Sequence, residues 1–126
     1  MKHNPAFLKI VEQAKEQIKE CSIHDVKAKL DHVKPIHLLD VREDHEFAKD
    51  HVRGAGHLGR GILERDIEEE IPDKQAEIIL YCGGGFRSAL AAQSLQAMGY
   101  RNVWSMDGGI RAWREAGYPI DCPSTP

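Results

Sequence analysis

Two short apolar runs, Ile36-His37-Leu38-Leu39-Asp40-Val41 and Ile78-Ile79-Leu80-Tyr81, constrain this chain more than any other feature. Neither alternates cleanly between apolar and polar residues. A strand with one face in water alternates; a strand covered on both faces does not. A third, weaker run, Val103-Trp104-Ser105-Met106, reads the same way. The stretches between them carry helical spacing. Residues 44–49, 60–71 and 88–98 are predicted helices, with Leu63, Ile67 and Ile71 in line in the second and Ala91, Leu95 and Met98 in the third. Gly99 stands where a C-terminal cap belongs. A last helix near 108–116 is stopped by Gly117 and Pro119. Strands alternating with helices predict an α/β fold in three layers, a central and mostly parallel sheet flanked by helices.

Two further helices are expected ahead of the first strand. Residues 5–20 place Phe7, Ile10, Val11, Ala14 and Ile18 on one face, with Asn4 as N-cap and Pro5 at the first helical position. A second begins at Ser22, where Asp25 supplies a weak capping-box signal, and carries Val26, Leu30 and Val33. The reading is therefore an N-terminal helical extension, residues 1–20, and one domain, residues 21–126. The extension's apolar face is expected to dock on its own domain, with pairing to a second chain as the alternative; monomer and homodimer both stay open.

Composition excludes several classes. Lys plus Arg is 17 against 20 for Asp plus Glu, a net charge of −3, which argues against a nucleic-acid partner. No apolar run approaches the roughly 20 residues of a membrane span. Met1 to Pro5 lacks the apolar core of a signal peptide. The three cysteines, Cys21, Cys82 and Cys122, are too few and too widely spaced for a disulfide scaffold, so a cytoplasmic setting without a membrane partner is expected.

Ligands of open parallel sheets bind beyond the carboxyl ends of the strands. Three polar clusters fall there: Asp40, Arg42 and Glu43; Cys82-Gly83-Gly84-Gly85-Phe86-Arg87-Ser88; and Asp107-Gly108-Gly109. The Cys82 segment says most. Three glycines let the loop curl so that several N–H groups point inward, an anion-binding nest. The helix N-terminus beginning at Ser88 and the charge of Arg87 add to it. All favour thiolate over thiol, so Cys82 reads as a nucleophile rather than a small buried hydrophobe.

The residues now assembled resemble a known family. Leu39-Asp40-Val41-Arg42-Glu43, Glu46-Phe47, His51-Val52-Arg53-Gly54-Ala55 and His57-Leu58 are similar to the first rhodanese signature. Tyr81-Cys82 through Arg87-Ser88-Ala89, Gly99-Tyr100 and Asp107-Gly108-Gly109-Ile110-Arg111-Ala112-Trp113 are similar to the second half. The likeness covers about residues 22–120 and implies a single-domain rhodanese-like sulfurtransferase. It implies that Cys82 takes the outer sulfur of a small anionic donor such as thiosulfate as a persulfide. A thiol, cyanide or a protein then accepts that sulfur, with no metal or organic cofactor. The N–H groups of Gly83, Gly84, Gly85, Phe86 and Arg87, with Ser88 closing the loop, would cradle the persulfide. Arg87 would bind the donor's oxygens, helped by Arg60; Asp40 and Arg42 would support the loop. One departure is the stretch His57-Leu58-Gly59-Arg60-Gly61, where the family often has Pro after the His-aliphatic pair, and Gly59 is expected to loosen that loop.

Other readings are kept beside this one. A sulfur carrier or interaction module would hold the same persulfide with little turnover. A phosphatase or arsenate reductase places five residues between its Cys and Arg, where this chain has four between Cys82 and Arg87. Asp40 is also readable as a turn acceptor, and Arg42 as a salt-bridge partner of Glu46 or Glu43. Cys21, between two helices, reads as structural. Cys122, in a Pro-rich tail expected to be mobile, is a candidate resolving thiol. His51 and His57 read as structural, His37 as hydrogen-bonded in its strand, and the histidine spacing matches no zinc pattern.

Overall fold

A computed structural model describes residues 3–32 and 35–123. Its main sheet has five parallel strands in the order β1-β6-β5-β2-β4. These are β1 (Lys19–Cys21), β2 (His37–Asp40), β4 (Gly56–His57), β5 (Ile78–Tyr81) and β6 (Val103–Met106). A small antiparallel pair joins β3 (His51–Val52) to β7 (Ile120–Asp121).

The apolar run of β5 has a simple cause. Its residues are buried on both faces. Ile78, Leu80 and, past the strand, Cys82 enter one core with Leu63, Ile67 and Leu95, from α4 (Leu63–Glu70) and α5 (Phe86–Ala97). Ile79 and Tyr81 enter the other with Val26, Ile110 and Trp113, from α2 (Ile23–Asp31) and α6 (Gly109–Glu115). Each large apolar side chain so buried contributes about 1.5–3 kcal/mol. The result is a three-layer α/β fold with a central parallel sheet, and α3 (Asp44–Lys49) follows β2 at its carboxyl end.

The extension packs on its own domain. Helix α1 (Pro5–Lys15) starts after Asn4 with Pro5 at its first position, and buries Val11 and Ala14 facing α5. Ile10 stays half exposed. The helix stops at Lys15, short of the expected residue 20, because Lys19-Glu20-Cys21 forms β1 against β6. That strand straddles the boundary drawn at residue 20. It carries no apolar pattern, as suits a largely exposed edge strand. Cys21 thus ends a strand rather than joining two helices. Ser22 and Asp25 form the reciprocal capping box of α2. Val33, expected on its stripe, lies outside the described residues.

The tail also differs from expectation. Ile120–Asp121 pairs with β3, and Arg53 binds both Pro119 O and the Asp121 carboxylate. Residues 124–126 lie outside the described residues. Among the described residues no helix is long and apolar enough to cross a membrane.

Candidate functional site

Strand β5 delivers Cys82 to the carboxyl end of the sheet. The glycines then turn the chain into α5, with Gly85 as its N-cap at φ +100°, a conformation that favours glycine. The first turn of a helix leaves N–H groups without partners. Here the sulfur takes two donors: Gly85 N–H at 3.2 Å and Ser88 N–H at 3.3 Å. No side-chain oxygen caps α5, so Cys82 Sγ stands where a cap oxygen would. Ser88 Oγ lies 3.6 Å from the sulfur and is hydrogen-bonded to Ser105 Oγ at 2.8 Å.

A second helix clamps the loop from the other side. Ile110 N–H donates to Cys82 O at 2.9 Å and Arg111 N–H to Gly83 O at 3.1 Å. The loop carbonyls thereby satisfy the N-terminal donors of α6. Gly109 makes this approach possible: at φ +57°, a Cβ there would lie 2.5 Å from Cys82 O. The Asp107-Gly108-Gly109 stretch is therefore explained by backbone proximity.

Cys82, Gly83 and Gly84 line an open cavity of about 760 Å3. Arg42, Lys49, Arg87, Arg111 and Arg114 also line it, against the carboxylates of Glu46 and Asp50. Most of this charge is paired. Arg87 offers both arms to Glu46, at 2.9 and 3.3 Å. That guanidinium, aided by the Glu43 N–H, holds the Glu46 carboxyl down to about 2. Arg114 grips Asp50 at 2.7 and 2.8 Å and lowers its pKa. Arg42 and Asp40 form a buried pair, with Asp40 also accepting Arg42 N–H at 2.9 Å and Arg42 reaching Asp50 O at 2.6 Å. Asp40 holds Arg42 rather than the loop amides, and Glu46 pairs with Arg87 rather than Arg42.

Arg60 does not reach this cavity. Its side chain is bound bidentately by Glu64, one helical turn on, and touches Ser94 Oγ at 3.3 Å. The nearby carboxylate outcompetes a more distant anion site. Cys122 is exposed and is likewise not among the cavity's lining. His51 and His57 both stack on the Phe47 ring, with ring centroids 3.8 and 4.6 Å from it, while His37 is exposed. Among the described residues no group of three or more His, Cys, Asp or Glu side chains could hold a metal.

Sequence reasoning assigned no part in the cavity to Arg111, Arg114, Lys49, His3 or Phe7. Arg111 was visible only as a member of the Asp107–Trp113 stretch. Its place follows from the clamp of α6 on the loop, a long-range contact that no local pattern announces.

The family model of the rhodanese-like domain matches residues 22–116. The thiosulfate sulfurtransferase GlpE of Haemophilus influenzae is 40% identical over 85 residues, 67% of this chain and 78% of that protein. YrkF of Bacillus subtilis, whose name marks a candidate sulfur carrier, is 33% identical over 96 residues, 76% of this chain; the chain spans about half of it, 51%. Among solved structures, RPA3614 of Rhodopseudomonas palustris superposes with a TM-score of 0.80 at 28% identity, over 96% of this chain and 98% of that one. It is described as of unknown function and a possible tyrosine phosphatase.

Proposed function

The chain belongs to the rhodanese-like domain family, and from that premise we propose that it is a sulfurtransferase working through a Cys82 persulfide. The observation that carries this is the sulfur itself: it receives N–H groups from Gly85 and Ser88 and lies against a cavity rich in guanidinium groups. Donors aimed at a sulfur favour negative charge on it. A thiolate is the form that attacks.

In the first half-reaction the Cys82 thiolate attacks the sulfane sulfur of a thiosulfate-like anion. The donor's S–S bond breaks, and its electron pair leaves with sulfite. In the second, an acceptor thiolate or cyanide attacks the outer sulfur of the persulfide and returns Cys82 as thiolate. No net oxidant or reductant is needed. The amides of Gly83, Gly84, Gly85, Phe86, Arg87 and Ser88 cradle the charged outer sulfur, and Arg87 attracts the anionic donor from the rim. The buried Asp40–Arg42 pair supports the wall.

The test is the rate of thiocyanate formation from thiosulfate and cyanide at varied concentrations of both. Parallel double-reciprocal lines are expected for a two-step covalent mechanism. A saturable persulfide with negligible turnover would instead favour the carrier role that the YrkF name suggests. The description of RPA3614 favours a phosphatase as the second reading. Cys82-dependent release of phosphate from an aryl phosphate, with no sulfur transfer, would establish it.

A further inference from the structure

Three of the five cations lining the Cys82 cavity, Arg42, Arg87 and Arg114, are held by carboxylates. Arg111 and Lys49 are exposed and form no salt bridge among the described residues. Arg111 also leans over the loop, its Nη1 3.8 Å from where a Cβ on Gly84 would stand. Part of the remaining wall is aromatic and apolar, from Phe7 of the N-terminal extension and Phe86 and Ile110 of the domain, with His3 and His45 beside them. The Phe7 and Phe86 rings meet edge-on at 6.2 Å, and His3 lies across both, at 5.3 Å from Phe7 and 4.5 Å from Phe86. The N-terminal extension lies outside residues 22–116, which the family model matches, yet it supplies His3, ahead of α1, and Phe7, on α1, to the cavity. A bare inorganic anion needs neither an aromatic wall nor about 760 Å3 of space.

We propose that Arg111 and the Phe7–Phe86 wall form an acceptor subsite for organic thiols that carry a carboxylate on an apolar body. The carboxylate meets the Arg111 fork, with Lys49 as a second charge, and the carbon body lies on the aromatic wall. The thiol is thereby directed to the loop between them. Its thiolate attacks the outer sulfur of the Cys82 persulfide; the bond between the two sulfurs breaks, its electron pair stays on Cys82, and the acceptor leaves as an organic persulfide. The catalytic role of the subsite rests on the sulfurtransferase reading, but its occupancy does not.

Occupancy is therefore tested without sulfur chemistry, by titrating 3-phenylpropionate into the full-length protein and following backbone amide resonances. The expected result is movement of the Phe7, Phe86 and Arg111 signals, with binding about tenfold tighter than that of acetate and about tenfold weaker in Arg111→Gln. Phe7→Ala is expected to weaken 3-phenylpropionate and leave acetate unmoved; Phe7→Leu, which keeps an apolar wall, restores most of the binding. Equal affinity for acetate and 3-phenylpropionate, or indifference to Arg111→Gln, overturns the subsite. If 3-phenylpropionate binds as expected but Cys82 never takes up sulfur, the subsite stands and the sulfurtransferase reading falls.

Discussion

Cys82 and Cys21 both sit at the carboxyl end of parallel strands of one sheet, two strands apart, and each lines a cavity. Their surroundings are opposite. Cys82 is followed by glycines whose turn aims Gly85 and Ser88 N–H groups at its sulfur, beside a wall of arginines. Cys21 is followed by Ser22, which spends the N-terminus of α2 on its own capping box with Asp25. Its thiol donates to Ser105 O at 3.8 Å. Burial, then Asp25, pushes it up to about 12. The strand end supplies a place; the loop after it decides whether a thiol there is a nucleophile or a small hydrophobe. Ser105 stands between the two, its carbonyl facing Cys21 and its hydroxyl linked through Ser88 to Cys82.

The sharpest way to break this contrast is to remove each sulfur in turn. Cys82→Ser is expected to lower thiosulfate-to-cyanide transfer by more than about 1,000-fold, as loss of a covalent nucleophile does. Cys21→Ser is expected to leave the rate within about twofold, since its side chain lies outside the Cys82 cavity. Comparable losses in both would end the distinction.

Backbone changes probe the loop without touching sulfur. In Gly109→Ala the new Cβ meets Cys82 O at 2.5 Å, so the clamp must open. About 2–4 kcal/mol of stability and most of the activity are expected to go, measured by denaturant unfolding and the same assay. Gly99→Ala has a positive φ of +98° but open space around it. A cost of about 1–2 kcal/mol with activity kept is expected, from left-handed strain alone.

Alkylation compares the thiols directly. With its pKa raised to about 12, Cys21 stays protonated through neutral and mildly alkaline pH. Peptide mapping after iodoacetamide at about pH 8 is expected to find Cys82 modified and Cys21 intact. Modification of Cys21 ahead of Cys82 would reverse the assignment.

The smallest effect concerns the rim. Glu46 is lowered from 4.5 to about 2 by Arg87. A depressed carboxyl contributes stability above its ordinary pKa, and that stability fades as pH falls from 4.5 through about 2. The thermal midpoint of the wild type should drop more steeply across that window than that of Glu46→Gln. Identical slopes would mean that the Arg87–Glu46 pair does not form in solution.

The contrast also explains what was legible in the sequence. The core strands were, because β5 is buried on both faces and carries only large apolar residues. The Cys82 loop was, because glycine runs and a helix start are local signals. The edge strand β1 was not: Lys19 and Glu20 carry no period, and pairing with β6 alone makes them a strand. Arg60 is withdrawn from the anion site by a signal the sequence does carry, Glu64 one helical turn ahead at ion-pair spacing. Arg111 stands in the sequence only as a member of the Asp107–Trp113 stretch, because the α6 clamp alone brings it to the cavity. Features held by neighbours in the chain can be read early; those held by distant partners cannot.

The most direct measurement is the intact mass of the protein after thiosulfate, then after cyanide, for the wild type and Cys82→Ser. Gain of one sulfur atom, its loss to cyanide, and neither in the variant are the results that Cys82 persulfide chemistry requires. No gain from thiosulfate or any other sulfane donor, or an equal gain in Cys82→Ser, would contradict it.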